Sequence, residues 1–234
     1  MGKTCAAVLV CCLIYAYSAV FPVAAAAGGL PDNFVYVEDV IPGVKVDLRY
    51  CAERNFLGRR VDGYLEPKCI LTRPAAEALR KVQEDLSRFG LAIKIFDAYR
   101  PQRAVDDFVR WGRDLTDTKM KEQYYPKVRK EDLFKEGYIA EKSSHSRGST
   151  VDLTIVCPDK PPSESELDMG TPFDFFGSES WVESPSVSAV HRAHRMLLQM
   201  LMQKHGFEPY TREWWHFTLK NETFPNTYFD FSVR

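Results

Sequence analysis

Two short stretches carry residue types that can do chemistry. Residues 143–154 read Ser-Ser-His-Ser-Arg-Gly-Ser-Thr-Val-Asp-Leu-Thr, with His145 and Asp152 on either side of Gly148. Asp152 sits inside the apolar run Val151 to Val156, where a charge is costly to bury unless it is paired or binds a metal. Far downstream, residues 213–216 read Glu-Trp-Trp-His. His145, Asp152 and His216 together make a three-donor set with a fourth position open, the layout of a catalytic rather than a structural zinc. Each has a plainer reading taken alone, as a hydrogen-bonded loop histidine or a capped buried carboxylate. The three in company favour the metal.

Glu213 lies three residues before His216. On a strand the two would face opposite sides, because side chains alternate. A bend at Trp214-Trp215 is therefore required if both are to reach one site. The tryptophans would also desolvate Glu213 and raise its pKa. A glutamate beside a metal-activated water is the usual general base; the alternative is a surface glutamate in a turn. Arg100 ends a dense apolar strand and is followed by Pro101. It is placed to meet an oxyanion or a substrate carboxylate, or to form a salt bridge with Asp97. His191 and His194 are spaced i, i+3 without an intervening glutamate, so they do not form an HExxH site. Arg192 and Arg195 mark the same helix face as solvated. His205 falls at a helix C-terminus, where a cation is favoured.

The elements that must position these groups can be read from periodicity. Phe34–Glu38 and Val44–Tyr50 alternate as strands around Gly43. Thr72 caps a helix with Pro74 in its first turn, running to Phe89 with Ala75, Ala78, Leu79, Val82 and Leu86 on one face, and Gly90 ends it. Leu91–Ala98 is a strand. Pro101 opens a helix that turns Ala104, Val105, Phe108 and Trp111 inward. Residues 112–142 read as loops and short helices. Residues 157–187, with five prolines, form a long loop of the kind that often carries function. Ser188–His205 is a helix expected to bury Val190, Leu197, Leu198, Leu201 and Met202, with Gly206 closing it. Trp214–Leu219 is a strand, and the tail packs down through Tyr228, Phe229 and Phe231. Helices and short strands mix without βαβ regularity, so the class is α+β, in one domain.

The 234 residues carry a formal net charge of -1, which gives no reason to expect nucleic acid or an anionic membrane as partner. The first 27 residues read as a cleavable signal peptide: Lys3, the apolar run Ala6–Ala16, then small residues at Ala24–Gly28. The run is too short for a membrane span. Export, to the periplasm or outside the cell, leaves Cys51, Cys69 and Cys157 in an oxidising compartment. A Cys51–Cys69 disulfide would close a short loop there, with Cys157 a buried thiol.

Taken together, these motifs resemble the VanX-type D-alanyl-D-alanine dipeptidases over nearly the whole chain after residue 27. The landmarks are residues 49–58 (Arg-Tyr-Cys-Ala-Glu-Arg-Asn-Phe-Leu-Gly), 61–64 (Val-Asp-Gly-Tyr), 97–101 (Asp-Ala-Tyr-Arg-Pro), 143–149 continuing to Asp152, 169–175 (Met-Gly-Thr-Pro-Phe-Asp-Phe), 213–216 and 228–231 (Tyr-Phe-Asp-Phe). The resemblance implies one zinc ion held by His145, Asp152 and His216, with Glu213 as base and Arg100 stabilising the transition state. It implies substrate contacts at Ser143, Tyr50 and Asp174, the last two holding the substrate ammonium. The reaction implied is hydrolysis of D-alanyl-D-alanine by attack of a zinc-bound water, in peptidoglycan dipeptide turnover. The fold implied is the α+β fold shared with zinc D,D-carboxypeptidases and the Hedgehog signalling domain, a small antiparallel sheet flanked by helices. Two alternatives stand beside it: a D,D-carboxypeptidase or endopeptidase on longer wall peptides, and a zinc-bearing binding module without catalysis. The signal peptide and the extra cysteines depart from the cytoplasmic resistance enzymes of that family.

Overall fold

The computed structural model describes residues 29–161 and 164–234; the expected signal peptide lies outside them. In chain order the elements are β1 (Phe34–Tyr36), the single turn α1 (Val37–Val40), β2 (Lys45–Val46), β3 (Ile70–Thr72), α2 (Arg73–Ser87), β4 (Ala92–Asp97), α3 (Gln102–Arg113), the single turn α4 (Lys121–Tyr124), β5 (Thr150–Val156), α5 (Ala189–Lys204), β6 (Phe207–Pro209) and β7 (His216–Leu219). β1 and β3 pair antiparallel, and a five-stranded sheet has the order β2-β4-β5-β7-β6. The architecture is the α+β domain that the sequence implies. The main sheet is mixed rather than antiparallel, because β2 runs parallel to β4.

β5 is the centre of that sheet. Its sequence Thr-Val-Asp-Leu-Thr-Ile-Val is β-branched at five positions, and all seven residues are buried. Val151, Leu153 and Ile155 alternate into the core, so Asp152 points to the opposite face. α2 buries Ala75, Leu79, Val82 and Leu86 at helical spacing and packs against β4 and α5. Thr72 precedes α2 in extended geometry, but its hydroxyl does not cap the helix. Instead it shares a 2.8 Å hydrogen bond with Ser149, tying β3 to the turn before β5.

Three sequence expectations are corrected. Val190 and Leu197 are 60% and 37% exposed, because the buried stripe of α5 runs through Arg195, Leu198 and Met202. Arg195 is 1% exposed, so its face of α5 is a packed one, not a solvated one. Cys51 and Cys69 are free thiols rather than a disulfide. Cys69 is buried in the core, whereas the Cys51 thiol donates to the Glu66 carbonyl at 3.2 Å. Burial and nearby Asp97 push the Cys51 thiol up to about 12, which keeps it out of the thiolate form that disulfide chemistry needs.

Gly148 ends the turn before β5 with φ +80°, and a Cβ there would lie 2.3 Å from Phe34 Cε1. Gly148→Ala is expected to cost roughly 1–2 kcal/mol from left-handed backbone, with roughly 1–3 kcal/mol more from overpacking. The urea midpoint, at unchanged m-value, reads this. At the far end of α5, Lys204 Nζ and His205 Nε2 both reach Asp85 Oδ2 of α2 at 2.7 Å. These hydrogen bonds hold the Asp85 carboxyl down from 3.8 to about 2. A depressed carboxyl stabilises the fold above its unfolded pKa and loses that contribution as pH falls through its folded value. The wild type should therefore lose stability between about pH 4 and 2 by a component that Asp85→Asn lacks, as acid titration of the melting temperature would reveal.

Candidate active site

The site forms where β4, β5 and β7 align three polar residues in one row. Asp152 pairs with His216 across β5 and β7. On its other side it pairs with Asp97, through a register shift in β4 between Ile95 and Asp97. Without that bulge Phe96 would stand opposite Asp152; the extra residue puts a carboxylate there instead.

His145 comes from the 3-10 turn Ser144–Arg147, which ends in left-handed Gly148. Ser143 caps that turn, its Oγ accepting from His145 N at 3.3 Å. His145 Nδ1 donates to the Ala98 carbonyl at 2.6 Å, which leaves Nε2 as the bare nitrogen facing the site. His216 is held the opposite way round, with Nε2 3.2 Å from Ser144 Oγ and Nδ1 facing inward. His145 Nε2 stands 3.3 Å from His216 Nδ1 and 3.2 Å from Asp152 Oδ2. His216 Nδ1 is 3.1 Å from Asp152 Oδ1.

Those three separations suit a metal. Zinc bonds of about 2.0–2.1 Å at tetrahedral angles put neighbouring donors about 3.3–3.4 Å apart. Asp152 Oδ1 is buried and makes no hydrogen bond, its approach to His216 being off the bonding direction. Asp97, Asp152, Asp174 and Glu213 also crowd one region with Arg100 as the permanent cation, an imbalance that a bound cation would relieve. His145, Asp152 and His216 are the one group of three or more such residues able to hold an ion among those described.

The bend required by the sequence is present. Residues 213–216 form a turn closed by His216 N donating to the Glu213 carbonyl at 3.3 Å, and β7 starts only at His216. Glu213 Oε2 consequently lies 3.5 Å from His216 Nδ1, on the cavity side. Trp214 and Trp215 are buried behind it. Burial, reinforced by the charge of Asp152 and opposed by His216 and Arg100, pushes the Glu213 carboxyl up to about 7. Asp152 is driven the other way: burial alone would raise it, but His145 and His216 hold it below the usual carboxylate range.

Arg100 forms the salt bridge with Asp97 that the sequence allowed. Its Nε and Nη2 bind Asp97 Oδ2 at 2.9 and 2.8 Å, and Nη2 lies 3.6 Å from Asp152 Oδ2. The guanidinium stacks over Tyr50 and Phe108, 5.0 Å from each ring centre, and lines the cavity. Asp97 is fully buried and takes a further 2.6 Å hydrogen bond from Tyr64. The sequence reading gave no role to Tyr64 or Ser144, although both sit inside the motifs it singled out.

Across the cavity, Tyr50 donates to Asp174 Oδ2 at 2.9 Å. Asp174 is 5% exposed and adopts φ 63°, a left-handed conformation uncommon for a non-glycine residue. Burial, with Asp152 and Glu213 adding to it, raises its carboxyl well above the usual range. Ser143 lines the same cavity of about 240 Å³. That is smaller than the roughly 300–1,000 Å³ of pockets for drug-sized ligands, so it suits a small ligand. All eight residues singled out in the sequence therefore meet here.

A mixed α+β domain with a buried two-histidine, one-aspartate cluster, an adjoining acid of raised pKa and a fixed arginine has the layout of a hydrolase site. Residues 31–234 match the model of peptidase family M15, described as D-ala-D-ala dipeptidase, and the chain belongs to that family. The chain is 37% identical over 204 residues to the D-alanyl-D-alanine dipeptidase of Enterococcus faecalis, covering 87% of this chain and 100% of that one. It is 38% identical over 202 residues to the Streptomyces coelicolor D-alanyl-D-alanine dipeptidase, covering 86% and 98%. Against the Escherichia coli protein of the same name it is 31% identical over 183 residues, covering 77% and 81%.

In chelator-treated protein, Glu213 should titrate near pH 7, visible as a carboxylate infrared band that Glu213→Gln removes. A raised carboxyl keeps in the fold a proton that the unfolded chain releases between about pH 4.5 and 7. Its contribution to stability falls as pH rises through that window, and Glu213→Gln should flatten the decline.

Proposed function

We propose that this protein is a zinc-dependent D-alanyl-D-alanine dipeptidase, with one zinc ion per chain held by His145, Asp152 and His216. The observation that carries the reading is the approach of the Glu213 carboxylate to within 3.5 Å of an inward-facing donor nitrogen, on the wall of a small cavity. When bound, zinc would polarise the scissile carbonyl and lower the pKa of the attacking water. Glu213 accepts the proton of that water and passes it to the leaving amine nitrogen. Arg100, anchored by Asp97 and lying over the rings of Tyr50 and Phe108, offers its Nη atoms to the developing oxyanion. Trp214 and Trp215 exclude water behind the base. Asp174, held by Tyr50, ionises on meeting the substrate ammonium, and this pairing at the amino end sets the length to two residues. Ser143 faces the substrate while its oxygen fixes the turn that carries His145.

We place the reaction in the turnover of peptidoglycan dipeptides outside the cytoplasm. The family match begins at residue 31, beyond the segment that reads as a signal peptide, and residues 28–234 form the catalytic domain in this proposal.

Among the described residues no helix is long and apolar enough to cross a membrane. Periplasmic or culture-medium recovery of a chain starting near residue 28 tests the export.

Free D-alanyl-D-alanine should be cleaved far faster than L-alanyl-L-alanine or N-acetyl-D-alanyl-D-alanine. A chelator should abolish the activity and added zinc restore it. Glu213→Gln should keep its metal, by elemental analysis, while kcat falls by about 10²–10⁴-fold, the usual span of general acid–base catalysis. Equal rates on free and N-blocked substrate would replace the dipeptidase by a carboxypeptidase, and full activity in Glu213→Gln would remove Glu213 as base.

A further inference from the structure

α5 carries a buried cation that the proposed reaction does not use. Arg195 is 1% exposed and has no carboxylate within ion-pair distance among the described residues. An isolated buried charge is expensive, and burial holds this guanidinium down to about 10. Its contacts are backbone carbonyls: Nε donates to Met169 O and Nη1 to Trp181 O, each at 2.7 Å. Nη2 is buried with no partner.

Those two carbonyls are the ends of one segment, residues 169–181, with Asp174 between them. Among the described residues Arg195 is the side chain that binds both. Neighbours on α5 secure only the start of the segment. His194 Nδ1 donates to Asp168 O at 2.7 Å, and His191 Nε2 lies 3.1 Å from Asp168 Oδ2. Gly170, at φ +83°, approaches so closely that a Cβ would lie 2.7 Å from His191 Nδ1. A separate set of bonds ties the segment to the turn that bears the base. Trp214 Nε1 donates to Thr171 Oγ1 at 2.9 Å, and Trp214 N donates to Ser180 O at 3.0 Å.

We infer that Arg195 is a positioning residue for the substrate's amino end, closing the 169–181 segment so that Asp174 keeps its left-handed backbone and its place opposite Tyr50. The inference rests on the reading of Asp174 as the ammonium acceptor. The guanidinium meets the two carbonyls with two donors fixed in one plane, a geometry that the single nitrogen of an ammonium does not reproduce. Without it the carbonyls of Met169 and Trp181 lose their bridge, while the Trp214 bonds and the 3.0 Å hydrogen bond between the Thr171 and Ser180 hydroxyls remain. Binding of the ammonium then weakens and the base stays in register. The i, i+3 histidines and the arginine of this face, which spacing alone marks as solvated, together form the dock for the segment.

The test is steady-state kinetics of Arg195→Met, Arg195→Lys and Asp174→Asn, with zinc content measured on each. Arg195→Met should raise KM for D-alanyl-D-alanine by about tenfold or more with kcat nearly unchanged, the signature of lost uniform binding. Its low kcat/KM on N-acetyl-D-alanyl-D-alanine should not change, because that substrate brings no ammonium. Arg195→Lys should fall between Arg195→Met and the wild type. If Arg195→Met does not fold, Arg195→Lys carries the test, and a wild-type KM in it overturns the proposal. A fall in kcat at constant KM overturns it as well. Loss of amino-end selectivity in Asp174→Asn but not in the Arg195 variants sinks the Arg195 role alone. Retained selectivity in Asp174→Asn sinks the ammonium reading on which it rests.

Discussion

The structure turns on one carboxylate, Asp152, set in the middle of a strand whose seven residues are all buried. A charge there is tolerable only with partners, and every neighbouring element supplies one. β7 brings His216 beside it, the turn before β5 brings His145 over it, and β4 brings Asp97 with its arginine on the other side. The strands cannot slide by one residue without separating this group, since a slip reverses every side chain. Sheet register and site chemistry are therefore one constraint. α2 packs its apolar face against β4, and Ile95 and Leu153 are buried in the same core.

Around this centre the electrostatics divide the acids into different roles. Asp152 is held ionised by two imidazoles. Glu213 is lifted to about 7 by burial behind two tryptophans. Asp174 is raised by burial and by the charges of Asp152 and Glu213, against the hydrogen bond from Tyr50. Carboxyls only a few ångströms apart thus come to hold or release protons in turn, which acid–base chemistry at neutral pH requires. Arg100 is fixed by Asp97 and by stacking on two rings, so little side-chain freedom remains to be lost when an anion forms near it.

The positions that surround the site show a second principle. Buried polar side chains hold the geometry of the site through their hydrogen bonds. Thr72 gives its hydroxyl to Ser149 instead of capping α2, and His145 Nδ1 is spent on the Ala98 carbonyl. Arg195 reaches two loop carbonyls that no other side chain joins among the described residues. A helix face with histidines and arginines looks solvated in the sequence because such residues are mostly exposed. Here α5 holds the long loop after β5 by hydrogen bonds to the Asp168, Met169 and Trp181 carbonyls.

What the sequence determined by itself was chemistry and local form. The types and spacing of His145, Asp152, Glu213 and His216 pointed to a group able to hold a metal, with an acid beside it. Strand alternation demanded the bend that Trp214-Trp215 provides. Helical periodicity placed α2 and α3, since short-range patterns are written in neighbouring residues. Other facts were decided only by the tertiary structure. The bulge that skips Phe96 and sets Asp97 against Asp152 depends on two strands meeting, and no local pattern encodes which residue is left unpaired. The burial of Arg195 and the exposure of Val190 and Leu197 depend on which stripe of α5 another segment covers. Cys51 and Cys69 are near in sequence, yet core packing claims one thiol and a backbone carbonyl the other. Periodicity fixes which residues share a face, and only long-range packing decides what that face meets.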